Sequence, residues 1–87
     1  VHAIDRLARM VSDVKEDPSW ELRLTPETNL IDEVGLDSLQ LIQLMLKVEE
    51  QFNVQMDFER FEYEHLQSTR AFLEFLESLG AEVQQHA

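Results

Sequence analysis

The sequence predicts an all-α fold: a small four-helix bundle with three main helices, a short third helix, and a long loop between helices 1 and 2. Three observations carry this. Apolar residues recur at three- and four-residue spacing in separate stretches, the signature of amphipathic helices. Residues that start and stop helices bracket those stretches. At 87 residues and 44% hydrophobic content, the chain is globular and long enough for one domain with a modest core. That domain is expected over residues 1–80, with 81–87 as a disordered tail.

Ile4, Leu7, Ala8, Val11 and Val14 form one stripe, so the first helix starts near Ile4. Asp5 and Arg9 stand four apart on its wet side as a helical ion pair. Asp17-Pro18-Ser19 stops it, because a residue before proline is biased away from helical geometry. The connection from Pro18 to Asp37 is long for a compact domain and needs anchors. Trp20, Leu22, Leu24, Leu30 and Val34 are the candidates, with Trp20 as a plug over the core rather than a ligand-stacking group. Thr25-Pro26-Glu27-Thr28 reads as a cap followed by proline at a first helical position, hence a single helical turn.

Gly35-Leu36-Asp37-Ser38-Leu39 then opens the second main helix, Ser38–Phe52. Asp37 has the acceptor side chain of an N-cap, and Gln40 stands three residues on, as in a capping box. That arrangement leaves Ser38 at the first helical position, its hydroxyl free beside the positive end of the helix dipole, a place that suits an anion such as a phosphodiester. The competing reading makes Ser38 the cap itself and asks for no chemistry. Within this helix Leu41, Leu44, Met45, Val48 and Phe52 share a core face. Leu39, Ile42 and Leu46 gather on another flank, bordered by Glu49 and Glu50, which reads either as a transient docking patch or as apolar side chains routinely exposed on a small domain or covered by the loop before Asp37.

Asn53 and the alternation Val54-Gln55-Met56 mark a break. Phe58, Phe61 and Leu66, set among Asp57, Glu59, Glu62 and Glu64, suit a short third helix with an acidic outer face, which reads as solvated surface. Ser68 or Thr69 caps the last helix. Its stripe of Phe72, Phe75, Leu76 and Leu79 ends at Gly80, a favoured residue just past a helix end.

Seven basic against eighteen acidic residues give a net charge of -11. Such a chain repels nucleic acid and anionic membrane and favours partners with basic surfaces. Without cysteine there is no disulfide, thiolate metal site or cysteine nucleophile. No apolar run is long enough to span a membrane. Val1 opens no recognisable signal peptide, so the expected compartment is the cytoplasm. Because that residue is not methionine, the chain is expected to be either trimmed or cut from a longer polypeptide. His2, His65 and His86 have no metal-ligand spacing, and no metal site is expected. Asp32–Asp37 lacks the ligand alternation of a calcium loop. Ser38 lies in no G-x-S-x-G elbow and has no evident base, so no catalytic residue is expected. An exposed serine without a base is a substrate for another enzyme.

The pattern Thr28-x-Leu30-x-x-x-x-Gly35-Leu36-Asp37-Ser38-Leu39 resembles the phosphopantetheine attachment region of acyl carrier proteins. The likeness runs from about Ile4 to Leu79. It takes in the long loop, the serine-led helix ending Glu49-Glu50-Gln51-Phe52, and a last helix opened by Ser68-Thr69. The resemblance implies a non-catalytic, monomeric carrier. Its Ser38 would receive 4'-phosphopantetheine from coenzyme A through a phosphopantetheinyl transferase, and the arm would hold acyl groups as thioesters. It also implies a partner-recognition surface on the second helix, carried over to Asp37, Leu39, Gln40, Ile42, Gln43, Leu46, Lys47, Glu49 and Glu50. The expected partners are that transferase and acyl- or aminoacyl-loading and acyl-processing enzymes. Gln40 and Gln43 occupy positions often acidic in fatty-acid carriers, and Lys47 one often small and uncharged. The segment Asp57–Gln67 also looks slightly longer than in those carriers. These departures point to polyketide or related specialised biosynthesis. Asp37 before the serine favours an acyl carrier over the peptidyl carriers of peptide synthetases, while a free-standing aminoacyl carrier is the nearest alternative. An acidic helical docking domain without covalent cargo is the further one.

Overall fold

The computed structural model describes residues 3–57 and 59–80. It is all-helical among those residues, with helices α1 (Ala3–Lys15), α2 (Trp20–Arg23), α3 (Ser38–Gln51) and α4 (Thr69–Ser78), and a 3-10 turn over Tyr63–Leu66 before α4. The expected small helical bundle is thus the fold, with α1 packed against α2, α3 and α4.

The stripes meet where the periodicity places them. Leu7, Val11 and Val14 of α1, Leu44, Met45, Val48 and Phe52 of α3, and Phe72, Phe75 and Leu76 of α4 are all buried in one core, with Ile4, Leu41 and Leu79 partly buried at its edge. Burying one such side chain contributes about 1.5–3 kcal/mol. That explains how helices of 10 to 14 residues, marginal in isolation, are held. The Arg6 guanidinium stacks on Phe52 at 4.4 Å and donates to the Gln51 carbonyl, closing the far end of α3.

α1 ends earlier than Pro18 requires. Glu16 takes a left-handed φ of 54°. The Asp17 and Glu16 amides donate back to the Ser12 and Asp13 carbonyls at 3.0 and 3.3 Å, a Schellman closure made without glycine. Asp17 then starts α2, its carboxylate accepting from the Ser19 amide at 3.0 Å and the Ser19 hydroxyl at 2.7 Å.

Several expectations need correction. The helical turn of the long loop lies at Trp20–Arg23 and not after Thr25. Thr25–Thr28 forms a simple turn, because the Thr28 hydroxyl accepts the Thr25 amide at 2.9 Å and the Thr28 amide returns to the Thr25 carbonyl. Trp20, Leu24, Leu30 and Val34 anchor the loop, but Leu22 is 92% exposed. A one-turn helix that turns Trp20 inward sends the residue two positions on to the opposite side. Arg9 reaches Glu21 of α2 at 3.8 Å instead of pairing with Asp5. Helix α3 stops at Gln51, with Phe52 as its C-cap. The short third helix shrinks to the 3-10 turn, held by the Glu62 amide donating to His65 Nδ1 at 2.9 Å. Phe61 lies outside that turn and packs edge-on against Phe72, while His65 stacks on Phe75 with ring centres 4.2 Å apart. Phe58 and the expected tail 81–87 lie outside the described residues.

Candidate functional site

The site is the start of α3 and the loop that delivers the chain to it. Asn29 Oδ1 accepts the Ile31 and Asp32 amides at 2.8 and 2.7 Å, folding residues 29–34 into a turn. Leu30, Val34 and Leu36 point from this loop into the core. Gly35, at φ 77°, makes the left-handed step that brings the chain to Asp37.

Both halves of the capping box are present. The Gln40 amide donates to Asp37 Oδ1 at 2.7 Å, and the Asp37 amide donates to Gln40 Oε1 at 3.2 Å. The Leu41 amide takes the Asp37 carbonyl at 2.8 Å. Ser38 is therefore the first helical residue and not the cap, it is exposed, and its hydroxyl has no hydrogen-bond partner among the described residues. The Ser38 and Leu39 amides are likewise without partners among those residues. An anion on the Ser38 oxygen would meet free N–H groups and the positive end of the helix dipole.

On the flank beyond Ser38, Leu39, Ile42 and Leu46 are 64%, 55% and 60% exposed. Gln43 and Glu50 are exposed around them and Lys47 is half-buried. Three residues of the expected recognition surface also carry structural duties. Glu49 accepts the Met56 amide at 2.7 Å and ties down the chain after α3. Gln40 is held in the capping box. Asp37 remains exposed, but its carboxylate is engaged with the Gln40 amide.

Lys15 is the residue that sequence reasoning missed. From the last turn of α1 its ammonium donates to the Gly35 carbonyl at 3.1 Å and to Gln40 Oε1 at 3.2 Å. A lysine in that position is ordinarily explained as the complement of its own helix dipole, so no local signal distinguished it. Among the described residues, no cluster of three or more histidine or acidic side chains is arranged to hold a metal ion. No described helix is long and apolar enough to cross a membrane.

Comparison with known proteins agrees with this geometry. Residues 5–76 match the family model described as phosphopantetheine attachment site. The chain is similar to an acyl carrier protein of Syntrophobacter fumaroxidans, 42% identical over 33 residues, or 38% of this chain and 41% of that protein. It is also similar to acyl carrier protein AcpXL of Mesorhizobium japonicum, 27% identical over 60 residues, or 69% of this chain and 62% of the relative. An acyl carrier protein of Desulforapulum autotrophicum is 44% identical over 32 residues, 37% of this chain and 42% of that protein. Each alignment spans less than two thirds of the relative's own length.

Proposed function

This chain belongs to the phosphopantetheine attachment-site family of acyl carrier proteins, and we propose that Ser38 is the residue that bears its covalently attached 4'-phosphopantetheine. The observation that carries the proposal is the division of labour at the start of α3. Asp37 and Gln40 satisfy the helix end, leaving an exposed serine hydroxyl with no bond of its own among the described residues. The local groups suit the phosphodiester, since the unpartnered amides of the first turn favour negative charge there.

In the transfer, the Ser38 oxygen bonds to the pantetheine-bearing phosphorus of coenzyme A. The phosphoanhydride bond to the adenosine part breaks, and the bisphosphorylated adenosine leaves. The proton of the hydroxyl goes to a base of the transferase, because no described residue accepts a hydrogen bond from Ser38 and the neighbouring Asp37 carboxylate is taken up by the Gln40 amide. When bound, the arm supplies the thiol that holds acyl cargo as a thioester. The chain's own contribution is to hold the attachment point at a fixed helix end, next to an apolar flank that partner enzymes grip. We read the chain as a non-catalytic carrier.

Leu39, Ile42 and Leu46, with Gln43, Lys47 and Glu50 around them, are the proposed gripping surface, and the net charge of -11 favours basic docking surfaces on the partners. Gln43 and Lys47, set against the acidic and small residues of fatty-acid carriers, support a role in polyketide or related specialised biosynthesis. Gln40 argues less for it, because its bonds to Asp37 and Lys15 give that position a structural duty.

Incubation with coenzyme A and a broad-specificity phosphopantetheinyl transferase tests the assignment by intact mass. The wild-type chain gains one arm and Ser38→Ala gains none. No gain by the wild type, or a gain that survives Ser38→Ala, overturns it.

A further inference from the structure

We propose that Lys15 is a positioning residue for arm attachment, through which α1 fixes the orientation of Ser38. The inference rests on the reading of Ser38 as the attachment point. Lys15 is half-buried at the last turn of α1, and its ammonium bridges two groups that flank Ser38 on either side. The Gly35 carbonyl accepts from it at 3.1 Å and Gln40 Oε1 at 3.2 Å. Gln40 Oε1 is the same atom that accepts the Asp37 amide, also at 3.2 Å. One oxygen therefore joins the capping box to a helix from a different part of the chain.

Two features make this more than surface decoration. A cation near a helix N-terminus faces the positive end of the dipole, so its place there is unfavourable unless acceptors hold it. Here a carbonyl and an amide oxygen do. Gly35 lies three residues before Ser38 at φ 77°, and glycine is the residue whose backbone is freest to move. Without the ammonium, the loop 35–37 keeps its anchors Val34 and Leu36 but loses the bond to the flexible residue between them. Group transfer is sensitive to such a loss, because small misplacements of a reacting atom slow the reaction strongly. The docking flank Leu39, Ile42 and Leu46 does not depend on Lys15, so the consequence falls on the chemical step and not on binding.

Arm transfer from coenzyme A by a broad-specificity transferase, followed by intact mass over time, separates the two. Lys15→Met is expected to lower kcat about tenfold with KM within about twofold, under conditions where denaturation shows the variant still fully folded. Lys15→Arg, which keeps a donor in reach of both oxygens, is expected to recover most of the rate. A wild type that gains the arm beside a Lys15→Met with kcat within about twofold overturns this inference alone. So does a loss that appears in KM, that tracks global unfolding, or that Arg fails to restore. A wild type that gains no arm overturns the reading of Ser38 and this inference with it.

Discussion

Thr69, the first residue of α4, binds the carbonyl of Thr28 twice, through its amide at 2.9 Å and its hydroxyl at 3.2 Å. Both threonines are buried. The long loop is thereby strapped to the start of the last helix, and the strap continues on both sides. The Arg70 amide donates to the Pro26 carbonyl and the Leu30 amide to the Leu66 carbonyl, each at 2.9 Å. The strap thus gives backbone partners to the Pro26 and Thr28 carbonyls and to the Leu30 amide.

The two threonines are not equivalent, and their valine variants separate them. Thr69→Val removes a hydroxyl whose acceptor keeps the Thr69 amide, and should cost about 1 kcal/mol. Thr28→Val leaves the Thr25 amide without the oxygen that holds it at 2.9 Å, and should cost about 1–3 kcal/mol. Urea denaturation of both variants checks the order.

At the start of α3 the cap and the proposed attachment site are neighbours with different duties. Asp37→Ala should destabilise the fold by about 1 kcal/mol, the usual worth of an N-cap. Ser38→Ala should change stability by less than about 0.5 kcal/mol, as for a surface residue with no structural bond. If Ser38→Ala instead costs as much as Asp37→Ala, Ser38 is acting as a cap and the division of labour is wrong.

Leu46 and Leu44 lie two residues apart on opposite duties. Leu46→Glu alters the exposed flank, and should leave the denaturation midpoint nearly unchanged while lowering turnover by partner enzymes. Leu44, fully buried, should cost about 2–5 kcal/mol when replaced by alanine. Unchanged turnover of Leu46→Glu by the cognate partner would count against the docking role of the flank.

Asp17 gives the fold a specific acid sensitivity. Its hydrogen bonds from the Ser19 hydroxyl and amide, helped by the positive charges of Arg23 and Lys15, hold its carboxyl below the usual carboxylate range. The unfolded chain therefore binds this proton at higher pH than the folded one, and protonation favours unfolding. The stabilisation is complete above the ordinary aspartate value of about 4 and is lost as pH falls through the lower folded value. The stability difference between wild type and Asp17→Asn, followed from neutral pH downward, should shrink in that window. A difference that stays constant there removes Asp17 from the account.

Much of this was already written in the residue order. Periodicity located the three main helices, Asp37 and Gln40 announced the capping box, and the second apolar flank of α3 was legible because three residues recur at helical spacing off the core face. These are local properties, fixed by side-chain chemistry within a turn or two of helix. The loop was harder. Sequence placed its helical turn after Thr25 and buried Leu22, because proline and threonine are strong local signals and α2 is too short to show a period. Trp20 plugs the core as expected, but the helical turn forms around it at Trp20–Arg23, and no local rule foresees that placement.

The sequence by itself determined the amphipathic helix and the two neighbours, Asp37 and Ser38, that could cap it, since caps and stripes follow from spacing alone. Only the tertiary structure decided how firmly that serine is held. Lys15 stands 20 residues before Gly35 and 25 before Gln40, and Thr69 stands 41 after Thr28. A hydrogen bond between such distant residues exists only once the core has folded and brought their helices together, so nothing in the local pattern records it.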